Sequence, residues 1–211
     1  MKCDILIKIG HLFRYICIDT NGMIITENIV KAALINHFAT VYSKDFYVCN
    51  ELMISSQNKI IDIVLNKDNL NYGFEIKAAN DDFRRLRDQL DMYSRFFDYL
   101  YVVCSSNHIN STYSIPSHIG ILEYTKNGKI VHRRKALRNK EFDIQEILAS
   151  IPKYFLKEYL VNDVKLAILD KEVRHLFSRY VQYRSRWSKK DLQDTLHFED
   201  ILKNTEYIKL L

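Results

Sequence analysis

Several absences narrow the reading of this chain. There is no CxxC pair: Cys3, Cys17, Cys49 and Cys104 stand apart among apolar or aromatic neighbours. That spacing argues against a zinc cluster or a disulfide scaffold and predicts buried free thiols. No stretch approaches the roughly 18 uncharged apolar residues that read as a bilayer span. The mildly hydrophobic start, MKCDILIKIGHLFRYICI, is broken by Asp4, Lys8, His11 and Arg14, and no small-residue cleavage site follows it. The expectation is a soluble, cytoplasmic protein without membrane contact. There is no internal repeat and no low-complexity segment. The 7 histidines are scattered, and none form an HExxH pair or a nucleophile relay. Charge of one sign is in small excess, 31 Lys and Arg against 26 Asp and Glu, for a net +5. That balance permits a nucleic-acid partner without establishing one. Tryptophan is nearly missing, at 1 residue, but there are 14 tyrosines to pack or donate hydrogen bonds.

What the chain does have is apolar content, 47% of 211 residues, enough for one large domain or a domain with an appendage. ENIVKAALINHFATV, 27–41, predicts a helix with Thr26 as its N-cap. FYVCNELMI, 46–54, and KIIDIVL, 59–65, predict strands; NKDNLN, 66–71, predicts a turn; and YGFEIKA, 72–78, returns as a strand antiparallel to the one before. Phe83, Leu86, Leu90, Tyr93 and Phe97 then recur at steps of three and four, predicting a helix over about 82–97. YLYVVCS, 99–105, suits a sheet interior, and a polar loop fills 106–117. IGILEY and KIVHRR flank a hairpin turn at Thr125–Gly128. From residue 141 the pattern is helical, broken at Pro152, with WSKK, 187–190, between the last helices. The class is α/β: a mixed central sheet flanked by helices over 1–140 and a helical C-terminal region over 141–211.

The chemistry lies in the middle strands. In an extended chain residues two apart share a face, so Glu75 and Lys77 project together while Phe74 and Ile76 point the other way. Asp62 sits inside an apolar strand, where an unpaired carboxylate is costly. It precedes Glu75 by thirteen residues across a short turn, so hairpin pairing brings the two to one sheet position or nearly so. A divalent cation, Mg2+ or Mn2+, would relieve their repulsion, polarise a phosphate oxygen and supply an activated water. Lys77 would either orient that water, offset charge on the phosphate or act as a base. Glu51 is a third carboxylate on an apolar element, and Gln89 on the following helix reaches the edge of the site.

Asp62 followed by Glu75-Ile76-Lys77 resembles the PD-(D/E)XK nuclease superfamily, with Ile61 in place of the proline in that name. NE at 50–51, IDIV at 61–64, YGFEIKA at 72–78, RRLRDQLDMYSRFFDYLYVV at 84–103 and HIGILEY at 118–124 together resemble the sce7726 family of bacterial and phage proteins, over roughly residues 25–135. The resemblance implies a restriction-endonuclease-like core. It implies metal ligation by Asp62, Glu75, the Ile76 carbonyl and Glu51, water activation by Lys77, and supporting roles for Gln89 and Tyr93.

The expected function is therefore metal-dependent phosphodiester hydrolysis by a DNA endonuclease; many enzymes of the resembled superfamily act as a homodimer to cut both strands. Arg84 and Arg85 stand near the motif; Arg133, Arg134 and Lys135 form one basic stretch; Arg184, Arg186 and Lys189 form another, with Trp187 beside them to stack on an unpaired base. The alternatives are a non-catalytic nucleic-acid-binding module, a protein-interaction module on a nuclease fold, and an RNA-directed nuclease.

Overall fold

A seven-stranded mixed sheet carries the molecule in the computed structural model, which describes residues 4–9, 12–17, 25–54, 59–78, 83–159, 170–197 and 199–202. β1 (Asp4–Ile9) and β2 (Leu12–Cys17) form a separate antiparallel hairpin. The main sheet is built from β3 (Phe46–Ile54), β4 (Lys59–Lys67), β5 (Leu70–Lys77), β6 (Tyr99–Ser105), β7 (Gly120–Tyr124), β8 (Ile130–Arg134) and the two-residue β9 (Trp187–Ser188), in the spatial order β8-β7-β6-β5-β4-β3-β9. β5, β6 and β7 run parallel; the remaining neighbours are antiparallel. The helices are α1 (Glu27–Val41), α2 (Leu86–Tyr93), α3 (Ile144–Ala149), α4 (Lys153–Tyr159) and α5 (Asp170–Arg184). The expected mixed sheet with flanking and C-terminal helices is thus the architecture observed. Among the described residues no helix is long and apolar enough to cross a membrane.

Alternation along the strands sorts side chains onto two faces. Ile63, Leu65, Phe74, Ile76, Val103 and Leu122 pack with Val30, Leu34, Ile35 and Phe38 of α1. Ile61, Val64 and Val102 pack on the opposite side with Leu86, Leu90 and Tyr93 of α2, Ile147 of α3 and Phe177 and Val181 of α5. The β4–β5 turn narrows to Asp68 and Asn69, at φ 52 and 58, because Asp and Asn tolerate the left-handed conformation that a two-residue hairpin needs. A chain of side-chain amides fastens α5 to this hairpin. Gln182 Nε2 donates to Asn66 Oδ1 at 2.8 Å, Asn66 Nδ2 to Asn71 Oδ1 at 2.7 Å, and Asn71 Nδ2 to Ser178 Oγ at 2.9 Å.

Three local features differ from the sequence reading. The helix expected over about 82–97 is regular only from Leu86 to Tyr93, although Leu86, Leu90, Tyr93 and Phe97 are all buried as its stripe requires. Ser94 Oγ donates to the Leu90 carbonyl at 2.7 Å, and the chain tightens to i→i+3 bonds at Arg95 and Phe96. Ser106–Ser114, expected as loop, forms a 3-10 helix in which the Thr112 and Ser114 hydroxyls donate three residues back. Thr26 sits at the α1 N-cap without a side-chain capping bond. Cys49 and Cys104 are the buried free thiols expected, each pushed up to about 12 by burial. Cys3 and the Cys17 side chain lie outside the described residues.

Gly73 on β5 faces this core. A Cβ there would stand 2.6 Å from Phe97 Cδ2 and 2.8 Å from Ile61 Cδ1. Gly73→Ala is expected to destabilise the fold by about 1–3 kcal/mol, the usual cost of overpacking, seen as a lower urea midpoint at unchanged slope.

Candidate functional site

Three carboxylates stand in a row across β3, β4 and β5. The pairs Asn50↔Ile63 and Leu52↔Ile61 put Glu51 opposite Asp62, and Ile63↔Phe74 is the last β4–β5 pair before Asp62 and Glu75. Past that pair Asp62 Oδ2 accepts the Ile76 N–H at 2.6 Å. Glu75 Oε1 accepts from Lys77 Nζ at 2.8 Å and from Gln89 Nε2 at 2.7 Å, and Lys77 Nζ also donates to Gln89 Oε1 at 3.1 Å. The predicted quartet of Asp62, Glu75, Lys77 and Gln89 is therefore assembled. α2 supplies Gln89 because its apolar stripe packs Leu90 and Tyr93 against the sheet. Tyr93 donates to the Ile60 carbonyl at 2.8 Å and is a core residue.

Lys31 and Glu27, both absent from the sequence reading, complete the site. Lys31 Nζ lies 2.7 Å from Glu27 Oε1 and 2.9 Å from Glu51 Oε1, with no solvent exposure. Burial works against its ammonium, but Glu27, Asp62 and the bonds to Glu27 and Glu51 outweigh it and hold its pKa above the ordinary lysine value. The signal available in the sequence was the Glu27–Lys31 spacing, one helical turn, with Lys31 set between Val30 and Ala32 on an otherwise apolar face. Burial, then Glu75 and Glu27, raise Asp62 well above the usual carboxylate range against the pull of Lys31 and the Ile76 amide. Glu75 is also raised, by burial, against the opposing pull of Lys77 and Gln89. Its second oxygen, Oε2, is buried and has no hydrogen-bond partner.

Glu27, Asp62, Glu75, Ile76, Lys77, Arg84, Arg85 and Gln89 line one cleft of about 650 Å3, with Arg84 and Arg85 exposed. The other predicted basic residues are elsewhere. Arg133 and Arg134 end the edge strand β8, where Arg133 pairs with Glu123, and Arg134 donates to the carbonyls of Ile119 at 2.8 Å, Pro116 at 2.9 Å and Ile115 at 3.1 Å. Lys135 follows them, exposed. Arg184, Arg186 and Lys189 flank β9 at the opposite edge, with Lys189 Nζ donating to the Ala39 carbonyl at 2.5 Å. Trp187 is 6% exposed and packs beneath the sheet edge, so the stacking role expected of it does not hold.

The side chains expected to hold magnesium or manganese are engaged within the protein. Glu51 turns to Lys31, and one oxygen each of Asp62 and Glu75 is taken by an amide or an ammonium. Among the described residues no three of His, Cys, Asp and Glu converge as a metal-holding group. The family described as Bacteriophage P4 protein cII matches residues 22–205. The chain belongs to that family. The resemblance to the sce7726 family and the PD-(D/E)XK superfamily is corrected by this match. The assignment as a metal-dependent DNA endonuclease does not stand, given the family and the lack of a metal-holding group among the described residues. No curated protein matches the chain. Among solved structures, the SPO1766 protein of unknown function from Silicibacter pomeroyi is similar at 12% identity and a TM-score of 0.44, over 65% of this chain and 94% of that one.

Two stability measurements follow from the electrostatics. Lys31→Ala leaves the partly exposed Glu27 and Glu51 carboxylates without their buried cation and is expected to cost about 1–3 kcal/mol in urea unfolding. Asp62 has a folded pKa above its unfolded one, so the native state holds the extra proton between the two values and stability falls as pH rises through that window. Asp62→Asn, which keeps an acceptor for the Ile76 N–H, is expected to melt above wild type at pH 8, with the gap closing as pH falls below about 3, where the wild-type carboxyl is protonated in both states.

Proposed function

We propose that the chain is a nucleic-acid-binding module, in which a core of restriction-endonuclease-like design grips a strand without hydrolysing it. The observation that carries this reading is the buried Glu75 Oε2, left without a partner on the wall of a cleft whose lining includes exposed Arg84 and Arg85. A buried acceptor of this kind costs free energy until a donor arrives. The amino edge of a base supplies such a donor, and carboxylates accept from cytosine N4 in this way. Arg84 and Arg85 offer planar forks to backbone phosphates, which position the strand without reading it. The raised pKa of Asp62 favours its neutral form, which lowers the charge that would repel a phosphate. A cytoplasmic location, with DNA as the ligand, suits a chain of net charge +5.

Fluorescence anisotropy with labelled single- and double-stranded DNA and RNA tests this. Arg84→Glu combined with Arg85→Glu should weaken binding at least about tenfold and flatten the salt dependence by about two phosphate contacts. Glu75→Gln should change base preference and leave the salt slope intact. The oligonucleotide should be recovered at full length after incubation with Mg2+. Cleavage that Glu75→Gln abolishes, or no binding by folded protein, would overturn the reading.

A further inference from the structure

α4 and α5, which do not line the cleft, present a surface of their own. Tyr154 on α4 and Tyr183 on α5 are 57% and 61% exposed, in a protein whose other large rings are mostly covered. Tyr183 is not loose. The Phe155 ring, fully buried, lies 5.3 Å from the Tyr183 centroid at 52° and 5.3 Å from that of Tyr180 at 64°. Phe155 thus anchors the inner side of Tyr183 and leaves the rest of the ring to solvent. Arg179 precedes Tyr183 by one helical turn, on the same stripe of α5. Lys153 and Lys157 on α4, Arg179 on α5 and Arg186 just beyond it are all exposed and stand within one helical turn of one or other tyrosine along the chain.

Two exposed rings, one of them held, with cations close by in the chain match one kind of partner. A base in a duplex has both faces covered by its neighbours, whereas an unpaired base offers a face for stacking and a phosphate for the cations. An already held ring also loses little freedom when a base settles on it. We propose that this face binds single-stranded nucleic acid. Tyr154 and Tyr183 stack on unpaired bases, and Lys153, Lys157, Arg179 and Arg186 hold the adjoining phosphates. The proposal deepens the nucleic-acid reading above and rests on it for the class of ligand, but it uses none of the residues of the cleft.

The test is a titration of full-length protein with single-stranded DNA carrying 2-aminopurine, run beside a blunt duplex of the same sequence. Tyr154→Ala combined with Tyr183→Ala should lose about tenfold or more in single-strand affinity, together with the stacking-induced change in 2-aminopurine fluorescence, while duplex binding is unchanged. Tyr154→Phe with Tyr183→Phe keeps the rings and should retain both signals, which separates stacking from loss of fold. Single-strand binding that falls in the Arg84 and Arg85 variant but not in the tyrosine variant overturns the platform and leaves the cleft reading standing. The reverse pattern supports the platform and removes the cleft. No binding of either nucleic acid overturns both. Sedimentation showing self-association lost in the tyrosine variant, with single-strand affinity unaltered, would assign the face to a second copy of the chain and likewise overturn the proposal.

Discussion

Lys31 carries an ammonium into the core from the second turn of α1, and the geometry around the cleft is organised about it. Its partners come from different parts of the chain: Glu27 one turn earlier on the same helix, and Glu51 on β3, with Asp62 on β4 close enough to act on it through space. Removed from water, a charge of this kind persists only where opposite charges and hydrogen bonds replace its hydration. The requirement runs both ways, since the three carboxylates would repel one another without it. It ties the first turn of α1 to the sheet at the level where β4 and β5 stop pairing, and so places Glu27 on the wall of the cleft.

Beyond the reach of that ammonium the balance changes. Glu75 answers to Lys77 and Gln89 on one oxygen only, and burial dominates what is left. Asp62, between the two systems, is fully satisfied by neither. Glu51 is paired with the Lys31 ammonium, while burial raises Asp62 and Glu75 above the usual carboxylate range. Arg84 and Arg85 line the same cleft beside the start of α2. Burying the acids in this wall costs stability.

Much of this was open to sequence reasoning because it is local. Strand alternation placed Glu75 and Lys77 on one face, the thirteen-residue interval across a turn placed Asp62 beside them, and the stripe of α2 brought Gln89 in. Lys31 was hidden because its pairing with Glu51 crosses from a helix to a strand, and no periodicity reports which strand a helix covers. The fate of the basic stretches was hidden for a similar reason. Arg134 spends its donors on three backbone carbonyls of its own chain, a use that composition cannot distinguish from readiness for phosphate. Trp187 reads as a stacking residue until β9 adds to the sheet and buries it. The family was misjudged on a constellation, two acids and a lysine on a hairpin, that a buried polar wall can also produce.

Glu51 has a second effect. Its φ of 54 is left-handed backbone, which costs a residue with a Cβ about 1–2 kcal/mol, and among the described residues β9 pairs with the outer strand β3 only at Tyr47 and Val48. An open edge with Met53 exposed on it would ordinarily be a template on which another chain could continue the sheet. On its other side β3 pairs with β4 at Asn50 and Leu52 but not at Glu51, without a change of register. The residue that receives the Lys31 ammonium is therefore also a gap in the ladder between the two strands, its side chain fixed by the ion pair and its backbone by the left-handed conformation.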